Sequence, residues 1–245
     1  MKILALDTTA KTASVAVTEN ERMLGVCNID NGLTQSELIL PMAERLLETL
    51  KLSFSDIGLY AVTVGPGSFT GVRIGVSTVK GLAFGKDVPC AAVSTLEALA
   101  ENAAGLCGLI VPCMDARRGQ FYTATFSSDG NTVTRVTPDR AISAEELAEE
   151  LRSFDGDVFI TGDGYDTAHK LLSPLGVRLS VTPELIRTAN AASIAKIASR
   201  MYVRGECITE SELQPTYLRV PQAERERLER EKTTHKDANE TENKK

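Results

Sequence analysis

The chain has 245 residues, a formal net charge of −6 and an apolar fraction of 42%, with no tryptophan. That length holds one large domain or two small ones, and no apolar run is long enough to cross a bilayer. The negative balance argues against a surface that grips a nucleic-acid backbone unaided, because such a surface needs an excess of Lys and Arg.

In chain order, three short β-like runs come first, at residues 3–7, 13–18 and 23–29, with turn residues between them. A helix is predicted over 35–50, with Leu38, Met42, Arg45, Leu46 and Thr49 near one face. Strand 59–64, helix 70–84, strand 90–93 and helix 95–104 follow. The same order then returns: strands 109–114, 121–126 and 133–136, helix 144–152, strand 158–161, helix 166–172, strand 178–181 and helix 192–204. Ser143, with Glu146 three residues on, is a capping-box start for the helix at 144. Each half reads βββαβαβα, a repeat of pattern and not of residues. A hairpin meander followed by strand–helix alternation predicts a mixed sheet with helices on its faces. The expected organisation is a first domain over 1–105, a second over 106–221, and a charged tail over 222–245 that should be disordered. Asp7 interrupts the first apolar run too early for a signal peptide. The five cysteines, Cys27, Cys90, Cys107, Cys113 and Cys207, are scattered without CxxC spacing, which fits reduced thiols and a cytoplasmic location.

The segment Gly65-Pro66-Gly67-Ser68-Phe69-Thr70-Gly71-Val72-Arg73-Ile74-Gly75 is the most informative in the chain. Its glycines allow tight turning and close backbone approach, and Ser68 or Thr70 can cap the helix that follows. Gly71, Gly75, Thr78, Leu82 and Gly85 then share one helical stripe of mostly small residues. Such a stripe suits either a docking surface for another helix or close packing on the chain's own sheet.

The chemistry-bearing residues form no convincing catalytic constellation. Asp7-Thr8-Thr9 at the end of the first strand has the residue types that hold a metal-bound phosphate, or that close a tight turn. The matching point of the second half is Met114-Asp115-Ala116-Arg117-Arg118-Gly119, where Arg117 and Arg118 stand in place of small residues and suit a phosphate or carboxylate partner, or solvent. Gly162-Asp163-Gly164 admits an adenosine or makes a plain turn. Only His169 and His235 exist, one in a helix and one in the tail, so no pair of imidazoles is available for a metal ion.

The glycine segment, the opening Asp7-Thr8-Thr9, Ser36-Glu37 with Pro41, and Asp115-Ala116-Arg117-Arg118-Gly119 together resemble the TsaB (YeaZ) family over about residues 1–220. The resemblance implies an actin/Hsp70/hexokinase-like (ASKHA) α/β fold of two tandem RNase H-like domains. It also implies a part in forming N6-threonylcarbamoyladenosine at position 37 of tRNAs that read codons starting with A. The family's role there is that of a non-catalytic partner of the catalytic TsaD subunit, together with the ATPase TsaE. Family members typically carry His and Ser where this chain has Gln35 and Ser36. The catalytic paralogue places an HxxxH metal pair where this chain has Thr95 and Leu99, and a glycine-rich phosphate loop at 115–119. The chain is therefore expected to have kept the fold and lost the active site, with neither catalytic residues nor a metal.

On this reading Leu38, Met42, Leu46, Gly71, Gly75, Thr78 and Leu82 bind the partner subunit, or a second copy of the chain when the partner is missing. Asp7, Thr8, Thr9, Asp115, Arg117, Gly162 and Gly164 are a vestigial nucleotide site. No cofactor is expected beyond a nucleotide at the partner interface, and tRNA is met only through the complex. The competing reading is an ATP-dependent phosphotransferase or a glycoprotease-like hydrolase that uses Asp7 in the interdomain cleft.

Overall fold

The structure, a computed structural model, describes residues 1–219; the tail expected to be disordered lies outside the described residues. The first sheet has the order β3-β2-β1-β4-β5, built from β1 (Lys2–Asp7), β2 (Ala13–Glu19), β3 (Arg22–Ile29), β4 (Leu59–Thr63) and β5 (Cys90–Val93). The meander β1–β3 is antiparallel, whereas β1–β4 and β4–β5 are parallel. The strands alternate two apolar sets. On one face Leu4, Leu6, Val15, Val17, Tyr60 and Val62 pack under α1 (Gln35–Thr49) and α2 (Phe69–Ala83). On the other, Ile3, Ala5, Ala16, Ala61 and Ala91 pack under two further helices. This lobe follows the expected βββαβαβα order, ending in α3 (Thr95–Asn102).

The second sheet is organised around β6 (Cys107–Asp115). One edge of β6 pairs in parallel with β11 (Val158–Thr161). The other edge is shared between β7 (Gln120–Thr123) near the C-terminal end of β6 and β8 (Phe126–Asp129) near its start. The strand expected over 121–126 is thus two strands that keep one register on β6, interrupted at Ala124 and Thr125 where the partner on the outer side changes. The outer strands β9 (Val133–Arg135) and β10 (Arg140–Ser143) pair with β8 and β7. Strand β10 is not among the expected strands, because its residues are partly buried and lack strong alternation. Helices α4 (Ala144–Arg152) and α5 (Tyr165–Leu172) cover one face over Val111, Cys113, Phe121 and Ile160. The capping box at α4 forms as read: the Glu146 amide donates to Ser143 Oγ at 3.1 Å, and the Ser143 amide donates to the Glu146 carboxylate at 2.8 Å. The strand expected over 178–181 is reduced to one bridge between Ser180 and Phe159.

Helix α6 (Ala191–Val203) departs from the expected domain organisation. By chain order it was given to the second domain, yet Ala191, Ile194, Ala195, Ile197 and Ala198 pack on the alanine-rich face of the first sheet. Two surfaces of small residues approach closely there, and the first-lobe Ser14 hydroxyl accepts the Ala191 amide at 2.7 Å. Helix α3 lies beside it and faces both ways. Ala98 meets the first sheet, while Leu96, Leu99, Ala100 and Ala103 pack on Ile110, Met114 and Phe126 of the second. The buried Glu101 carboxylate of α3 bonds Lys196 at 2.7 Å and Arg200 at 2.5 Å, both on α6. Helices α3 and α6 are the layer that joins the lobes.

Candidate functional site: the interlobe cleft and the outer helices

Two concave regions stand out. The first is a polar cleft of about 530 Å³ where the C-terminal ends of β1 and β6 face each other. Its first-lobe wall carries Thr9, Ala10, Lys11 and the start of α2; its second-lobe wall carries Asp115, Arg117, Tyr122 and Asp163; residues 216–219 close one side.

Of the nucleotide candidates, Thr9, Asp115 and Arg117 reach this cleft, and Asp7, Thr8, Gly162 and Gly164 do not line it. Asp7 is completely buried. Its Oδ1 accepts from the Thr9 amide at 3.1 Å, the Thr9 hydroxyl at 2.7 Å and the Thr63 hydroxyl. Its Oδ2 has no partner among the described residues. Burial pushes the Asp7 carboxyl above the usual 3.8, against the downward pull of the Thr63 and Thr9 hydrogen bonds. The glycine segment packs on the two residues that follow Asp7. The Ser68 amide donates to the Thr9 carbonyl at 2.8 Å, a Cβ on Gly67 would lie 2.7 Å from that oxygen, and one on Gly71 would collide with the Thr8 carbonyl. Asp7 itself has no surface open to the cleft.

Gly162 and Gly164 are likewise spent on packing. Gly162 has φ +94°, its Cβ would strike the Cys113 carbonyl, and a Cβ on Gly164 would lie 2.7 Å from the same oxygen. The Gly164 amide donates to that carbonyl at 2.9 Å, which fastens the turn after β11 to β6. In the turn after β6, Arg117, Arg118 and Gly119 all have positive φ, and the Arg117 amide donates to Asp115 Oδ1 at 2.7 Å. Of the seven residues expected at a nucleotide, Thr9, Asp115 and Arg117 thus line the cleft, while Asp7, Thr8, Gly162 and Gly164 are buried in the packing around it.

Thr95 and Leu99 are core residues at the lobe junction, with Leu99 inside the α3–β6 cluster. No group of three metal-ligating side chains occurs among the described residues. His169 is half-buried against Tyr165 at 4.3 Å between ring centroids; burial and then the Arg187 charge hold its pKa below 6.5.

The second concave region lies between α1 and the edge strand β3. It is an apolar groove of about 460 Å³ lined by Cys27, Ile29, Leu38, Pro41, Met42 and Leu46, with Arg45 at its rim. Leu38, Met42 and Leu46, named from sequence, all meet in it. Leu46 also packs on Gly25 of β3, where a Cβ would lie 2.8 Å from Leu46 Cδ1.

The glycine stripe of α2 does something else. Gly71 and Gly75 are buried and face inward: a Cβ on Gly75 would collide with Thr8 Oγ1 and sit 3.1 Å from Val62 Cγ2. The Thr8 hydroxyl donates to the Gly71 carbonyl at 2.7 Å. Packing on the chain's own sheet explains the stripe, so these two glycines cannot touch a partner. Thr78 bonds its own helix at Ile74 O, and Leu82 packs partly on the core. The outward face of α2 is Phe69, Thr70, Arg73, Ser77 and Gly81, followed by Phe84 at 78% exposure. None of these residues is among those expected at the partner, although Phe69, Arg73, Ser77 and Phe84 share a helical side by spacing alone.

A Bacillus subtilis protein named tRNA threonylcarbamoyladenosine biosynthesis protein TsaB is 33% identical over 238 residues, 95% of this chain and 100% of the relative. The chain belongs to the TsaB family. The Escherichia coli TsaB protein is 32% identical, covering 89% of this chain and 95% of its own length. A family model described as TsaD, tRNA N6-adenosine threonylcarbamoyltransferase, also matches residues 22–226. Among solved structures, a Pseudomonas aeruginosa protein described as similar to peptidase YeaZ superposes with TM-score 0.76 at 27% identity, over 89% of this chain and 99% of that one. YeaZ from the same organism superposes with TM-score 0.72, over 89% and 100%. The fold is thus the ASKHA-type α/β fold of RNase H-like lobes expected from sequence, and the family acts in forming threonylcarbamoyladenosine in tRNA. Among the described residues no helix is long and apolar enough to cross a membrane.

Proposed function

We propose that this TsaB-family chain is a non-catalytic subunit that binds and activates a TsaD-type threonylcarbamoyl transferase, and that α1 and α2 carry the contact. The observation behind this reading is the layer they form. The two helices lie side by side on one face of the first sheet. They present the apolar groove along α1 and the row Phe69, Arg73 and Phe84 along α2. Aromatic and arginine side chains are the usual anchors of protein interfaces. The match of the transferase family model to this chain supports a partner of the same fold, so that equivalent helices meet about a pseudo-twofold axis. The same patch serves a homodimer when the transferase is absent. The sealed Asp7 is why we assign the chain no turnover of its own. On this reading the TsaE-type ATPase and tRNA join through the assembled complex in the cytoplasm.

The test is binding of the purified chain to a TsaD-type subunit, together with modification of tRNA by the pair. Burying Phe84 contributes about 2 kcal/mol on transfer grounds, so Phe84→Ala should weaken the complex roughly thirtyfold, and Arg73→Glu by at least as much. Wild-type affinity in both variants, or modification of tRNA by this chain alone, would overturn the proposal.

A further inference from the structure

After α6 the chain does not end on the lobe it has just covered. Gly205, at φ +69°, reverses it, and Ile208 then exchanges both backbone hydrogen bonds with Cys90, at 2.8 and 2.9 Å, on the outer edge of β5. Leu213 is fully buried in the core beneath α2. The Lys80 ammonium, on α2, donates to the carbonyls of Ser211 at 3.2 Å and Leu213 at 3.1 Å. The Thr216 amide donates to the Val64 carbonyl at 2.7 Å, and the Thr216 carbonyl fills the space where a Cβ on Gly65 would stand. The Tyr217 ring lies 5.0 Å from that of Phe69, and its hydroxyl accepts from Arg73 Nε at 2.8 Å.

The chain then leaves the first lobe. The Arg219 guanidinium donates to the Ala116 carbonyl at 2.9 Å and to Gln120 Oε1, with its carbon 5.6 Å from the Tyr122 ring centroid. Residues 206–219 thus run along three elements of the first lobe and catch, by one side chain, the Asp115–Gly119 turn of the second. Thr216, Tyr217, Leu218 and Arg219 form one wall of the cleft itself.

We propose that residues 206–219 are a latch that holds the cleft between the lobes at a fixed opening, with Arg219 as its catch. The α3–α6 layer joins the lobes at the base of the cleft; the latch joins them at its mouth, where any hinge motion would be largest. A planar guanidinium with two donors engaged and a ring beside it fixes direction as well as distance. The latch also grips α2 near both ends, at Lys80 and at Phe69 with Arg73. The proposal stands whether or not α2 docks a partner.

The test uses the full chain carrying Cys27→Ser, Cys107→Ser and Cys207→Ser, with Lys11→Cys and Arg118→Cys labelled to report distance across the cleft mouth. Arg219→Ala should broaden the distance distribution. It should also speed hydrogen exchange at the Ala116 and Gln120 amides at least tenfold, as expected for losing a charge-assisted hydrogen bond. Strand β1 should exchange as in wild type. Arg219→Lys, which keeps a donor but not the fork, should fall between the two. An unchanged distance distribution in Arg219→Ala, with or without faster local exchange, would overturn the latch and leave the α3–α6 layer as what sets the opening.

Discussion

The inward role of the α2 glycines is open to a direct thermodynamic test. In Gly71→Ala the new Cβ would lie well inside 3.0 Å of the Thr8 carbonyl, a separation that real Cβ atoms essentially never show. The obstacle is backbone at the end of β1, held by two neighbouring strands, so it cannot rotate away as a side chain would. Overpacking of this kind costs about 3 kcal/mol at the upper end of its range. Displacing α2 also stretches the 2.7 Å Thr8 hydroxyl to Gly71 carbonyl bond, which contributes roughly 1 kcal/mol. Against these stands the helix preference for Ala over Gly, about 1 kcal/mol. The net is a loss of about 3 kcal/mol, or roughly 6–12 °C in melting temperature for a chain of this size. Gly81, on the same helix, has nothing within 4 Å of its Cβ position and is exposed. Gly81→Ala should therefore stabilise, by up to about 1 kcal/mol. Calorimetry or urea unfolding of both variants decides the matter. If Gly71→Ala melts like wild type yet fails to bind a transferase subunit, the stripe faces a partner and the packing argument fails.

Three other outcomes follow from the same structure. Because burial raises the Asp7 pKa in the folded state, the protonated form is favoured there, and stability is lost as pH rises from the ordinary value of 3.8 through the folded value. Asp7→Asn should flatten that slope relative to wild type in matched unfolding curves; identical slopes would show that Asp7 is not the sealed group described. Of the five cysteines, exposed Cys107 should react first with a thiol reagent. Cys90, pushed up to about 11, and Cys113, pushed up to about 12, should stay protected until the chain unfolds, as peptide mapping of the labelled protein would reveal. Glu101→Gln should destabilise by about 2 kcal/mol, less than the 3–5 kcal/mol of a fully buried pair, because Lys196 and Arg200 keep access to water; urea unfolding measures it.

Much of the first lobe was legible in the chain, since β1 to β5 are short, largely apolar runs and α1 to α3 begin at strong capping residues. Thr34 and Ser68 precede α1 and α2, and Ser94 accepts the Glu97 amide at 3.3 Å ahead of α3. The second lobe was legible in its core and not at its rim. Strand β10 has four half-buried residues and no periodic signature. The segment at 178–181 has strand-like composition and only one neighbour to bridge. Helix α6 was found, but its address was not, because a stripe of alanines says that something packs closely without saying what. The site reading divides the same way. Leu38, Met42 and Leu46 meet in the α1 groove because large apolar side chains at helical spacing can share only one face. The small residues of α2 pointed in two directions at once, and only the distance to Thr8 separates them.

The sealed carboxylate and the outward aromatic face of α2 are two consequences of one placement. Seating α2 so that Gly67 and Gly71 rest on Thr8 and Thr9 brings backbone down over the residues that follow β1. The same seating buries Val72, Val76 and Val79 and commits the inner face of the helix to its own sheet. Phe69 and Arg73 then point away from the sheet, where they meet Tyr217, and Phe84 follows exposed just past the helix end. A larger residue at 67 or 71 would lift the helix, open the turn and tilt that row together. The close packing on Thr8 and Thr9 and the outward placement of the opposite helix face are therefore coupled through two glycines, Gly67 and Gly71.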